Sequence, residues 1–175
     1  MNFMRDLAQT GVLAVIVAFI GLLFTYNNSR SLARQSEANA IINAIEKTLQ
    51  EISDENYKFW RDVTERNTEH DIKCRLFNAF IVFRCNLLEE KTQQLNRKCR
   101  SFFHDHIDHD GFETAMVKLI ANVRDKATHN SESPDLVKDK VLRVLSINKE
   151  TAKIFSTVHD FSHQRYGSGS ETFNY

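Results

Sequence analysis

The chain has 175 residues with 23 basic and 23 acidic side chains, and this balance leaves no broad basic surface of the kind that holds nucleic acid at physiological salt. Five glycines and a single proline supply few turns for a many-stranded sheet, and a hydrophobic content of 42% is that of a folded chain, so the expected class is all-α. Cys74, Cys85 and Cys99 are an odd set with no C-x-x-C, which argues against a disulfide framework and against a zinc ribbon.

Residues 1–6 read as a short amino-terminal tail. The segment "LAQTGVLAVIVAFIGLLFTY", residues 7–26, carries no charge, and its length at about 1.5 Å per residue matches a hydrocarbon core of about 30 Å. A cleaved signal would have a basic start, a shorter apolar stretch and small residues at its end, so the segment is predicted to be an uncleaved transmembrane anchor. Arg30 and Arg34 follow it and only Arg5 precedes it, which predicts a single-pass protein of the cell's inner membrane with a cytoplasmic carboxyl-terminal domain. Unpaired cysteines agree with a reducing compartment. Gly11, Ala14, Ala18 and Gly21 recur every three or four residues, a small-residue stripe that lets two membrane helices approach closely.

Residues 27–166 are predicted to form a bundle of about four helices that begins with a long juxtamembrane helix, and residues 167–175, with "GSGS" at their start, a loose tail. The juxtamembrane helix, over residues 30–68, carries Ala38, Ile42, Ile45, Leu49, Ile52, Asn56, Phe59 and Val63 at alternating spacings of four and three. That is the pattern of a coiled-coil seam, with Asn56 as its polar member, and it serves equally to join two copies of the chain or to pack on the next helices of the same copy. The second helix, over residues 71–100, contains the almost wholly apolar "LFNAFIVF" and places the three cysteines on one face. A third begins at "DGFETAMVKLIANV", where Asp110 and Glu113 form a capping-box pattern ahead of Phe112, Met116, Ile120 and Val123. A fourth is predicted after Ser133 as N-cap and Pro134 at its first position, with a break near Asn148.

Three histidines and three aspartates crowd "HDHIDHD", residues 104–110. His104, His106, Asp108 and His109 are metal-ligand types, but one helix face offers two ligands at most, and the same residues at spacings of four form local acid–imidazole pairs. "RDKATH", Arg124 to His129, resembles the Arg and His motif of HEPN-type ribonucleases, all-helical domains in which these two residues act on RNA. The resemblance covers six residues and implies RNA cleavage by Arg124 and His129; the competing reading is a basic helix end facing its own dipole. Nucleotide, hydrolase and zinc-protease motifs are missing from the sequence, so no cofactor is expected. The expected function is therefore a non-enzymatic interaction or regulatory module, self-associating, with the lipid bilayer and an unidentified protein as partners and no nucleic acid.

Overall fold

A computed structural model describes residues 11–62, 68–100, 107–133 and 137–166, and among them the chain forms four α-helices and no strand. These are α1 (Val12–Asp62), α2 (Thr68–Cys99), α3 (His109–Thr128) and α4 (Lys140–Tyr166). The chain divides into two compact units, Met1–Glu37 and Ala38–Tyr175.

In the first unit the helix starts after Gly11, which adopts φ +73° and offers its carbonyl to the N–H of Val15 at 3.2 Å. Glycine adopts this left-handed conformation without steric cost. Gly11 thus stands outside the helix, and the stripe of small residues within it begins at Ala14. The 18 residues from Val12 to Ser29 hold no charge and would extend about 27 Å as a helix. Every bulky apolar side chain among them is exposed, up to 74% at Phe24. Among the described residues α1 is the one helix long and apolar enough to cross a membrane.

The second unit is an antiparallel bundle, and its side-chain pairs fix the order of the helices. Phe59 late in α1 stacks on Phe77 early in α2 with centroids 4.0 Å apart, while Glu51 pairs with Arg84 about two turns further along α2 at 2.9 Å. Asn96 near the end of α2 meets His109 at the start of α3. Lys126 late in α3 binds Glu150 on α4, and Phe112 early in α3 stacks on Phe161 late in α4. His159 of α4 closes the circuit on Glu46 of α1 at 2.8 Å.

The heptad seam of α1 lies inside this bundle. Ala38, Ile42, Ile45, Leu49, Ile52, Asn56 and Phe59 are all buried within the single chain; Val63 falls outside the described residues. A second copy could reach Ile42, Ile45, Leu49, Ile52 or Asn56 only if the bundle opened. The polar member of the seam is imperfectly satisfied. Asn56 is fully buried, and its Nδ2 donates to the Ile52 carbonyl at 2.8 Å, yet its Oδ1 has no partner. A buried unpaired acceptor costs about 1–3 kcal/mol, so Asn56→Leu is expected to raise unfolding stability by about 1–2 kcal/mol in urea titrations. A loss of stability would mean that Oδ1 holds something the bundle needs.

All three cysteines are buried on α2, on the face their spacing predicts. Burial pushes the Cys85 thiol up to about 12, which keeps it protonated and inert near neutral pH.

The helix starts differ from the sequence reading. The cap of α3 is Asp108 rather than Asp110: its Oδ1 accepts the Gly111 N–H at 2.8 Å, and a Cβ at residue 111 would collide with the Asp108 carboxylate. Glycine at 111 is what lets the aspartate fold so tightly over the helix end. For α4 the cap is Asp139, whose carboxylate accepts the Leu142 N–H at 2.9 Å and whose carbonyl accepts that of Arg143. Ser133 instead donates its N–H to Asn130 in a turn, and Pro134 lies outside the described residues. No break occurs at Asn148; its carbonyl accepts the Thr151 hydroxyl inside an unbroken helix.

Candidate functional site

Two ends of the bundle carry the residues singled out from the sequence. At the first, the described part of the histidine and aspartate cluster forms the entry to α3. His109 is the first helical residue, and its ring turns inward to the core. Its Nδ1 pairs with Asn96 Oδ1, Asn96 Nδ2 donates to the His109 carbonyl at 3.2 Å and to Glu113 Oε2 at 3.4 Å, and Phe161 meets the imidazole edge-on. The amide thus ties the end of α2 to the start of α3. Asp108 is occupied as the cap, and Asp110 lies on the surface 3.7 Å from Arg100. His104 and His106 fall outside the described residues. Among the described residues no three His, Cys, Asp or Glu side chains converge on a point where a metal ion could sit.

The opposite end carries Arg124 and His129. Arg124 is half-buried in the last turns of α3. His129 is exposed at the helix terminus, where its N–H donates to the Asp125 carbonyl and its own carbonyl accepts the Arg143 guanidinium. Among the described residues no hydrogen bond or ion pair joins the Arg124 and His129 side chains. A short turn follows in which Asn130 adopts φ 58°, a conformation asparagine tolerates better than most side chains.

Behind that turn is a polar cluster that sequence reasoning did not find. His70 Nε2 lies 3.0 Å from the Ser131 carbonyl. The Cys74 thiol donates to Ser131 Oγ, which donates to Asn78 Oδ1, and Asn78 Nδ2 returns to the Cys74 sulfur at 3.5 Å. Cysteine, histidine, serine and asparagine are the components of nucleophilic chemistry, but Cys74 and Ser131 are each only 1% exposed, and the cycle uses their hydrogen-bonding capacity internally. The cluster fastens the start of α2 to the turn after α3. Ser131 lies more than 50 positions from the other members, which share one face of α2 at spacings of four, so no local spacing announces the cluster.

A buried carboxylate was likewise not legible. The carboxylate of Glu150 is 5% exposed and is gripped by Lys126 at 2.7 Å and by Lys153 at 3.0 Å. The Lys126 ammonium holds the Glu150 carboxyl below the usual carboxylate range, with burial opposing and Lys153 assisting. A depressed folded-state value means that the stabilisation is present above the carboxylate range and disappears as pH falls through it. Glu150→Gln is therefore expected to cost about 1–3 kcal/mol at neutral pH and much less near pH 3, as measured by urea unfolding at both. An equal deficit at both would show that the charge is not what holds this contact.

Between α1 and α4 runs a groove of 580 Å³ lined by residues such as Glu46, Gln50, Thr151 and Phe155, and a smaller one of 380 Å³ adjoins Asp110 and Glu113. Neither groove holds a convergent set of catalytic groups among the described residues. A comparison of the chain with protein-family models, curated proteins and solved structures finds no match.

Proposed function

We propose that the chain is a single-pass membrane-anchored interaction module that self-associates through its anchor and presents the helical bundle to partners at the cytoplasmic face. The observation that carries this reading is the apolar surface from Val12 to Tyr26, which no other described residue covers. Each such side chain gains about 1.5–3 kcal/mol on leaving water, and a bilayer is the surrounding that offers this to every side of the helix at once. Arg30 and Arg34 beyond the run favour a cytoplasmic bundle.

Self-association falls to Ala14, Ala18 and Gly21, because the heptad seam of residues 38–59 is already consumed by the fold. Thr25, next on this stripe, donates its hydroxyl to the Gly21 carbonyl at 2.9 Å, so its polar group is satisfied within the helix. The reading favours binding over catalysis because the His70, Cys74 and Ser131 cluster and the His109–Asn96 pair are spent on holding helices together.

The test is energy transfer between donor- and acceptor-labelled full-length chains in lipid vesicles, after an alkaline carbonate wash. Retention through the wash and transfer above the random-encounter level, reduced at least tenfold in apparent affinity by Gly21→Leu, are expected. Extraction by carbonate overturns the anchor, and transfer at the random level overturns self-association.

A further inference from the structure

Apolar burial does not rank the helices of the bundle: α1 supplies the fully buried Ile45, Ile52 and Trp60, and α4 supplies Ile147, Ile154 and Val158. Polar groups do rank them. Among the described residues, the buried side-chain nitrogen and oxygen atoms without a hydrogen-bond partner are Asn56 Oδ1, Trp60 Nε1 and Arg84 Nε. All three lie where α1 meets its neighbours. Asn56 and Trp60 are on α1, with the Arg143 guanidinium of α4 over the indole at 5.3 Å, and Arg84 of α2 reaches across to Glu51 of α1.

The joints among α2, α3 and α4 are fastened differently. Asn96 ties α2 to His109 of α3, Ser131 completes its cycle with Cys74 and Asn78, and buried Glu150 of α4 is held by Lys126 of α3. A buried hydrogen bond that is made strengthens a joint, and a buried group deprived of one weakens it. The ion pairs that link α1 to its neighbours, Glu51 with Arg84 and Glu46 with His159, have side chains 24% to 47% exposed and add little.

We propose that α1 from Ala38 to Asp62 undocks from the bundle as a unit while α2, α3 and α4 stay packed on one another. Partial openings of a folded chain follow its weakest interface, and here that interface is the one holding every unpartnered polar atom. Docking withholds the heptad seam and undocking releases it, so the equilibrium sets when Ile42, Ile45, Leu49 and Ile52 can meet another helix. Undocking is a property of the bundle and holds whatever surrounds the apolar run.

The natural cysteines supply the control for the test. Cys74 and Cys85 face α3, toward Ser131 and Arg124, and stay covered when α1 leaves. Thr48 is 4% exposed on α1 and its hydroxyl bonds the Ala44 carbonyl of its own helix, so Thr48→Cys sets a thiol in the α1 interface at small cost. The full-length Thr48→Cys chain in vesicles is treated with a maleimide at low concentration without denaturant, and labelling is followed at each cysteine by mass spectrometry. Labelling rates then report how often each site opens.

The thiol at position 48 is expected to label roughly tenfold or more faster than Cys74 and Cys85. Adding Asn56→Leu, which removes one unpartnered acceptor, should slow it about tenfold. Adding Glu150→Gln instead, which weakens the joint of α3 and α4, should speed Cys85 roughly fivefold or more and leave position 48 unchanged. Labelling at position 48 no faster than at Cys85, or equal acceleration of both by Glu150→Gln, would overturn the proposal, because α1 would then leave only when the whole bundle opens.

Discussion

Replacing Phe161 by alanine is expected to destabilise the bundle by about 3–5 kcal/mol, the usual cost of removing a buried aromatic ring. Phe161 is 4% exposed, stacks on Phe112 with centroids 3.8 Å apart and meets the His109 ring edge-on. Its loss therefore leaves a cavity where α3 and α4 join and frees the imidazole that Asn96 holds. Against a total stability of about 5–15 kcal/mol this is enough to leave a large unfolded fraction under mild denaturant. Phe155, on the same helix but 45% exposed, is the matched control, and Phe155→Ala should change the urea midpoint little. Equal losses at the two positions would contradict the packing of α4 described above.

The second large effect concerns the anchor. Ile16→Arg places a charge within the apolar run, at a cost of about 2.5–3.5 kcal/mol if that position lies at the centre of a bilayer. The expected result is a chain that shifts from the membrane fraction to the soluble or aggregated one while the helical signal of the bundle persists, because Ile16 belongs to the other unit. The same change at Asn28, beyond the apolar run, should leave membrane retention intact, since a long basic side chain there reaches the headgroups. Unchanged retention of Ile16→Arg would argue that this segment meets something other than lipid.

Much of the fold was legible because periodicity and glycine content speak to local conformation. The apolar run, the heptad spacing from Ala38 to Phe59 and the facing cysteines of α2 each follow from 3.6 residues per turn. The helix starts were misplaced for a specific reason. "DHDGFE" offers two aspartates as caps, and the choice between Asp108 and Asp110 depends on Gly111, which permits a carboxylate contact that no side chain at that position would allow. At α4, "SPD" suggested an earlier start, while Asp139 has the geometry to satisfy the Leu142 N–H.

What the seam packs against was open for a deeper reason. A heptad stripe states that a helix needs a partner and is silent on which chain supplies it; here α2 and α4 of the same copy do so, through Phe77, Arg84 and His159. The histidine cluster was read as a set of possible ligands or surface pairs, and His109 proved to be a core residue because Asn96 waits for it at the end of the preceding helix. Ser131 joins Cys74 and Asn78 from more than 50 positions away and Lys126 joins Glu150 from 24, beyond the range over which a spacing carries information.

The central claim is that α1 leads two lives, in lipid through Tyr26, with only its small-residue stripe against a second copy, and buried along one seam in its own bundle from Ala38 onward. A spin-label scan of residues 12–60 in the full-length chain in vesicles tests it most directly, by comparing collisions with oxygen, which concentrates in lipid, and with a water-soluble relaxer. The account predicts high oxygen access and low water access from Val12 to Tyr26, with dips in oxygen access confined to the Ala14, Ala18 and Gly21 face, then a 3.6-residue period with minima at Ile42, Ile45, Leu49, Ile52 and Asn56 to both reagents. Water access through the first segment, or uniform access along the second, would contradict it.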